Sequence, residues 1–173
     1  GNMLPSILPK LRSAFGMSLS LGAIAPAVLI ITANLIQLLT GHLRSENTKP
    51  LFLHVGMLLA VCICLLPALP KSILGVFILI FLSVICGAGI GIVHPEGLRG
   101  IHTLSRIPPA ISTAVFMIGG FLGFASGGII STALVSRFGL RGLYPLLLCP
   151  VFGILAVLAL RIRLAVESIP SDG

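Results

Sequence analysis

Charged residues are scarce in this sequence: they make up 9% of its 173 residues, against 57% hydrophobic residues. A soluble domain has roughly 25% charged residues, which keep its surface solvated. With so few, this chain cannot cover itself with polar surface, and its outside must face lipid. The composition therefore excludes a soluble globular domain and predicts an integral membrane protein.

Tryptophan is absent, tyrosine occurs once, and 11 lysines and arginines accompany only 4 acidic residues. Such a basic excess in a soluble protein would indicate nucleic-acid binding. Here the cations stand singly between apolar runs, with no basic face and almost no aromatic residues for base stacking. Lysine and arginine near lipid headgroups account for the excess, so no nucleic-acid partner is expected.

Motifs for metal binding, disulfides and catalysis are also missing. Cysteines occur only in apolar runs: Cys62, Cys64, Cys86 and Cys149. Two cysteines separated by one residue point about 200° apart on a helix and cannot share a metal. No His-Glu-x-x-His spacing occurs, and Ser126 has Phe124 where the turn of a nucleophile needs glycine. We expect no enzyme activity, cofactor or metal, and no signal peptide, because no basic segment precedes a short apolar stretch.

Long uncharged runs dominate the chain. A crossing needs about 20 apolar residues, and lipid offers the backbone no hydrogen-bond partner, so unbroken runs predict helices rather than a barrel. Five runs are long enough: Leu19–Leu39, Pro50–Pro70, Ser72–Val93, Ala110–Val135 and Gly142–Leu160. The expected connections are Gly41–Pro50, Ala68–Ser72, His94–Pro109 and Ser136–Gly142.

The opening segment Gly1–Pro9 is apolar but too short to cross, and it is typical of the last two turns of a helix. Together with five spans it predicts an all-α, six-helix membrane unit whose front is cut off. We expect residues 1–163 to form one helical membrane domain and residues 164–173 a polar tail. Loop cations number five on one side and six on the other, so the positive-inside rule assigns no orientation.

The most informative stretch is His94–Arg99 (HPEGLR), at the end of the third predicted span. A charge within a span costs about 2.5–3.5 kcal/mol on insertion scales, and Pro95 removes a backbone donor, which predicts a kinked or broken helix with carbonyls facing a cavity. One interpretation makes Glu96 a proton-accepting or substrate-sensing group, with His94 or Arg99 as partner. The other places all three in an interfacial loop, with Glu96 and Arg99 as an i,i+3 surface pair.

Small and polar residues mark two further faces. Gly119, Gly123 and Gly127 recur at four-residue spacing in the fourth predicted span, flanked by Gly120 and Gly128; this pattern predicts close helix packing. In the first predicted span, Asn34 and Gln37 lie on neighbouring turns of one face. We expect both to point into the protein, as interhelical hydrogen-bonding groups or as cavity lining.

The sequences CGAGIGIVHPEGLR and FMIGGFLGFASGG resemble the major facilitator superfamily. Within it, the chain is similar to fosmidomycin-resistance-type efflux permeases, which carry His-Pro-Glu-small-x-Arg at the end of the fourth helix and Gly-Gly-x-x-Gly in the fifth. ILPKLRSAFGMS and ITANLIQLLTGHLRSENTKPLFLHVGM are similar to their first outer loop and to their second helix with its following loop. The resemblance covers nearly the whole chain and implies the amino-terminal half of a twelve-helix permease, with most of helix one missing.

The resemblance implies a secondary active transporter in the plasma (inner) membrane, with the HPEGLR stretch in the cytoplasm. It would export a small drug-like or anionic solute in exchange for protons by alternating access, at a site between two halves. His94, Pro95, Glu96 and Arg99 would form a proton-coupling or gating motif. The implied partners are the lipid bilayer, the solute, protons and either a carboxy-terminal half or a second half-unit.

Several positions depart from the family pattern. Ser45 stands where the loop acid is usual, Met117 and Phe121 stand where glutamine and asparagine are frequent, and Gly128 replaces a usual proline. These departures imply a less polar cavity. The alternative function is a non-transporting membrane subunit or degenerate half-permease that acts through helix–helix association.

Overall fold

A computed structural model describes residues 3–42, 48–103 and 107–164. These residues form α-helices and two 3₁₀ helices, without strands. The α-helices are α1 Met3–Phe15, α2 Leu19–His42, α3 Leu51–Val61, α4 Ile73–Ile101, α5 Pro109–Phe138 and α6 Cys149–Ala159; the 3₁₀ helices are Cys62–Ala68 and Gly139–Leu148. The all-helical prediction is confirmed. The expectations for Ser45 and for most of the polar tail lie outside the described residues.

Four stretches of the described chain are long and apolar enough to cross a membrane: Leu19–Thr40, Leu51–Ala68, Ile73–Ile101 and Pro109–Ala159. The first three coincide with predicted spans to within a few residues, except that the third runs further at its end. The length and composition of these helices are those of a multi-pass membrane protein.

The connection between the last two predicted spans differs from the prediction. The last two predicted spans lie in one apolar stretch of 51 residues, and the expected loop Ser136–Gly142 belongs to α5 and the second 3₁₀ helix. Gly139 has φ +63°, which glycine adopts without strain, and the 3₁₀ helix beyond it packs back on α5. Pro145 lacks a backbone donor, and α-helix resumes only at Cys149.

The first helix is longer than expected, because α1 continues through Pro9 to Phe15 into the predicted connection. Leu4, Ile7 and Leu11 are each 1% exposed and recur every three or four residues, so they form one apolar stripe. That stripe packs on α5, and further contacts join α1 to α2 and the second 3₁₀ helix. Burial of an amphipathic face therefore extends the helix past the point at which the uncharged run ends.

Helix α4 lies between α2 and α3 at the centre of the bundle. On one side, a Cβ atom added at Gly87 would lie 2.5 Å from the Leu29 carbonyl oxygen of α2, and Gly91 makes the same kind of contact one turn later. On the other side, a Cβ atom at Gly89 would lie 2.6 Å from the Gly56 carbonyl oxygen of α3. Glycines at alternate positions thus present two opposite faces of α4 to two helices.

These contacts also define the two ends of the bundle. Gly87 contacts Leu29 and Ala33, and Gly91 contacts Ala33 and Gln37, so α2 and α4 run parallel. The end of α2 and the HPEGLR stretch of α4 therefore lie at one end, which we call the motif end. The opposite end holds Lys10, Lys71 and Gly139, which line a common cleft, and we call it the cleft end.

Candidate functional site at the end of α4

The HPEGLR stretch is helical, because α4 continues without interruption to Ile101. The expected loop beginning at His94 is therefore wrong, and of the kinked or broken helix expected at Pro95 the break does not occur. The His102 backbone N–H donates to the Leu98 carbonyl at 3.1 Å and closes the helix. Since the motif is helical, its side chains three residues apart share a face.

Pro95 leaves one carbonyl of α4 without its helical donor, that of Gly91 four residues earlier. The Thr40 hydroxyl of α2 lies 3.2 Å from this oxygen and 2.7 Å from the Ile36 carbonyl oxygen of its own helix. A hydroxyl has one proton to donate, so Thr40 shares it between α2 and α4. The freed carbonyl meets a neighbouring helix rather than the predicted cavity. Sequence reasoning missed Thr40, although a hydroxyl ending the span before a proline-containing helix was a usable signal.

Glu96 and Arg99 form a buried ion pair. The Arg99 Nη1 atom donates to Glu96 Oε1 at 2.7 Å, and the two side chains are 13% and 10% exposed. The predicted i,i+3 pair is present, but its predicted place in a surface loop is wrong. Within the described part of the chain, the second carboxylate oxygen of Glu96, Oε2, is buried and accepts no hydrogen bond. A buried carboxylate is costly unless both oxygens are satisfied, so Oε2 is available to a proton or a donor.

His94 turns towards α5 rather than joining the ion pair. The His94 side chain is exposed, its Nδ1 lies 3.3 Å from the Ile90 carbonyl oxygen, and its ring stands edge-on to Phe116 with centroids 6.4 Å apart. One turn later, a Cβ atom added at Gly97 would lie 2.8 Å from the Phe116 ring. The end of α4 therefore packs on Phe116 of α5. Sequence reasoning missed this residue because one phenylalanine in an apolar run carries no distinguishing signal.

The segment after α6 returns to the same end of the bundle. The Leu164 backbone N–H donates to the Thr48 carbonyl at 2.9 Å, and a Cβ atom added at Gly100 would lie 3.7 Å from Ile162 and Leu164. Leu164 is 2% exposed, so this residue packs with the helical domain although the predicted tail begins there. The motif end therefore also contains Thr48 and the segment after α6.

Asn34 and Gln37 are exposed, and the expectation that they point into this bundle is wrong. The stripe of α2 that meets α4 contains Leu29 and Ala33, which are 4% and 8% exposed. Asn34 lies about 100° from Ala33 around the helix and so falls outside the stripe. An amide facing hydrocarbon is unfavourable, and the lining of a cavity shared with a second unit stays a prediction for both residues.

The glycine face of α5 is uncovered in the described structure. A Cβ atom added at Gly119, Gly120, Gly123 or Gly127 would meet no atom within 4 Å, whereas Gly128 is buried. The close helix packing predicted for the first four residues therefore does not occur with any described helix of this chain. Packing against a second unit stays a prediction.

Metal-ligating residues do not cluster in the described ranges, where no group of three or more His, Cys, Asp or Glu residues could hold an ion.

Cys86 donates its thiol to the Ala60 carbonyl at 3.0 Å and joins α4 to α3. His54 of α3 has a buried Nε2 without a hydrogen-bond partner among the described residues.

Comparisons of the chain with protein-family models, with curated proteins and with solved structures find no match.

Proposed function

We propose that this chain is one half of a secondary active transporter of the major-facilitator type, which exports a small drug-like or anionic solute in exchange for protons. The observation that carries this proposal is Glu96, which is the one carboxylate among the described residues. It lies buried on a membrane helix, pairs with Arg99 through one oxygen and leaves the other oxygen unbonded. Intramembrane acids are costly and mark proton and substrate pathways.

Proton coupling in this proposal acts through the Glu96–Arg99 pair. A proton and a hydrogen-bond donor of the solute compete for Oε2, the unbonded oxygen of Glu96. Protonation neutralises the carboxylate, removes this acceptor and weakens the attraction of Glu96 for the Arg99 guanidinium, which stays charged. Because the proton and the solute occupy Oε2 alternately, proton binding lowers the affinity for the solute, as exchange in opposite directions requires.

In this proposal, α4 moves against its neighbouring helices when the Glu96–Arg99 pair changes. Gly87 and Gly91 hold this helix against α2, and Gly89 holds it against α3. Contacts between glycine backbones offer no bulky side chains to interlock, so α4 can slide against both neighbours. A change at the Glu96–Arg99 pair therefore shifts α4 relative to α2 and α3.

The proposal requires a second unit opposite this one, because a transport site lies between two halves. Two features support such a unit. Asn34 and Gln37 expose amide groups on α2, and the face of α5 with Gly119 and Gly123 is uncovered. Both features suit a surface that meets another helical half.

The uncovered glycine face also favours the second candidate function, a non-transporting membrane subunit that acts through helix association. Small residues let helix backbones approach closely in lipid. Association of such a subunit would involve the α5 face and would not depend on the unbonded oxygen of Glu96. Proton-coupled flux therefore separates the two candidates.

The test uses the full chain in proteoliposomes that contain a pH-sensitive dye, with fosmidomycin as a small anionic probe. We expect the probe to drive proton movement in the unaltered chain, and we expect Glu96→Gln to abolish it because an amide cannot take up the proton. Arg163→Gln, which neutralises an exposed cation at the same end, is the matched control and retains flux. Full proton-coupled flux in Glu96→Gln refutes the role of Glu96, and absent flux in a chain that still self-associates favours the subunit function.

A further inference from the structure

A cleft of about 470 Å³ opens at the cleft end, on the side of the bundle opposite Glu96. Three cationic residues line it: Lys10 of α1, Lys71 of the turn before α4 and Arg141 of the second 3₁₀ helix. Ser13 adds a hydroxyl group, and no carboxylate belongs to the lining. Positive charges from three separate elements thus converge on one concave surface.

Backbone contacts hold the turn that carries Lys71. The Ser72 backbone N–H donates to the Pro70 carbonyl at 2.9 Å, and Gly75 packs its backbone against the same carbonyl oxygen, which fixes the turn containing Lys71. Leu66 and Leu143, which lie near the lining residues Pro67 and Arg141 in sequence, belong to the hydrophobic core and are 0% exposed. The cleft is therefore a shaped surface on a packed core.

Among the described residues, no carboxylate neutralises the three cations of this cleft. The one described carboxylate, Glu96, lies at the motif end and is paired with Arg99. Lys10, Lys71 and Arg141 repel one another, and the apolar wall formed by Pro67, Val135 and Leu140 screens that repulsion less than water does. An anion between the three cations relieves the repulsion.

We propose that this cleft binds a phosphate-type anion, supplied either by an anionic phospholipid headgroup or by a free phosphate. Arginine matches the planar pairs of phosphate oxygens in a bidentate way, and lysine adds a compact positive charge. The neighbouring apolar wall suits the glycerol and upper acyl carbons of a lipid. The site is independent of the proposed transport function, because it shares no residue with the Glu96–Arg99 pair.

The test measures binding of dioctanoyl phosphatidylglycerol to the full chain in neutral detergent by native mass spectrometry. Each cation near a membrane surface contributes about 1 kcal/mol to binding an anionic lipid, which is roughly a fivefold change in Kd. We therefore expect Lys71→Gln and Arg141→Gln each to weaken the first binding event about fivefold. Arg137→Gln is the matched control, because Arg137 is an exposed cation on the last turn of α5 that does not line the cleft, and it should change the Kd less than twofold.

A second arm distinguishes the two sources of the anion. If inorganic phosphate fails to displace phosphatidylglycerol, the site is one for a lipid headgroup. If inorganic phosphate displaces it, the site is one for the free anion. Both results retain the phosphate-type site. Equal weakening by Lys71→Gln and Arg137→Gln overturns the proposal, as does equally tight binding of dioctanoyl phosphatidylcholine. Lys71→Arg keeps the charge and should restore binding, which separates anion recognition from a structural effect.

Discussion

Gly89→Ala adds one methyl group to the tightest contact between α3 and α4. The new carbon would lie 2.6 Å from the Gly56 carbonyl oxygen, 2.8 Å from the Leu59 carbonyl carbon and closer still to the Ala60 backbone nitrogen. All three are backbone atoms, so no change of side-chain rotamer relieves the overlap. The two helices themselves must separate.

The size of this separation follows from the distances. Moving the Gly56 oxygen from 2.6 Å to an ordinary contact at 3.4 Å displaces the helices by at least about 0.8 Å, because the Ala60 nitrogen starts closer still. A gap of roughly this size forfeits a quarter to a half of the dispersion energy of the contacts along the seam, and it lengthens the 3.0 Å bond from Cys86 to Ala60. Since overpacking typically costs about 1–3 kcal/mol, we expect the free energy of unfolding to fall by about 2 kcal/mol.

The assay is unfolding of the purified chain in mixed micelles with an increasing fraction of dodecyl sulfate, followed by far-ultraviolet circular dichroism. Gly120→Ala is the control, because it makes the same chemical change where the added carbon meets no atom within 4 Å. Alanine is favoured over glycine inside a helix by roughly 0.5–1 kcal/mol, so this variant should be unchanged or slightly more stable. Unfolding of both variants at the same dodecyl sulfate fraction would refute the packing of α4 on α3.

Two further predictions concern other contacts. Thr40→Val removes the donor to the Gly91 carbonyl and should lower the unfolding free energy by about 0.6 kcal/mol, the mean for an interhelical hydrogen bond in a membrane. Pro95→Ala restores a helical donor to that carbonyl, so the same threonine substitution should cost less in the Pro95→Ala background; an equal cost in both backgrounds in a double-mutant cycle argues against the shared carbonyl. Gly123→Leu fills the uncovered face of α5 and should reduce self-association measured by energy transfer between labelled chains in liposomes. Ala114→Leu, on the opposite face of α5, should leave transfer unchanged, and equal transfer in both variants contradicts a role for the glycine face.

The helical membrane class could be predicted from composition and from uncharged runs, because the bilayer core leaves backbone groups no partner outside the chain. The ends of α1 and α4 could not be predicted. Lys10 and His94 mark the ends of apolar runs, yet α1 and α4 continue past them. Charge limits how far a helix can be buried in lipid, whereas packing determines where the helix ends.

Residue spacing made the candidate site partly predictable. The three-residue spacing of Glu96 and Arg99 predicts their pairing on a helix, but the burial of the pair depends on the helices around it. The sequence also did not decide whether His94 or Arg99 pairs with Glu96. Phe116 lies against His94 and Gly97, and only the approach of α5 to α4 brings it there.

Glycine shows most clearly what each level decides. Glycines at four-residue spacing on α5 and at two-residue spacing on α4 are both visible in the sequence, and either pattern permits close helix approach. The sequence by itself determines that this chain is helical and apolar, since those properties follow from residue type and run length. Only the tertiary structure decides that Gly87, Gly89 and Gly91 are covered while Gly119 and Gly123 are open, because contact requires a second helix in the right place.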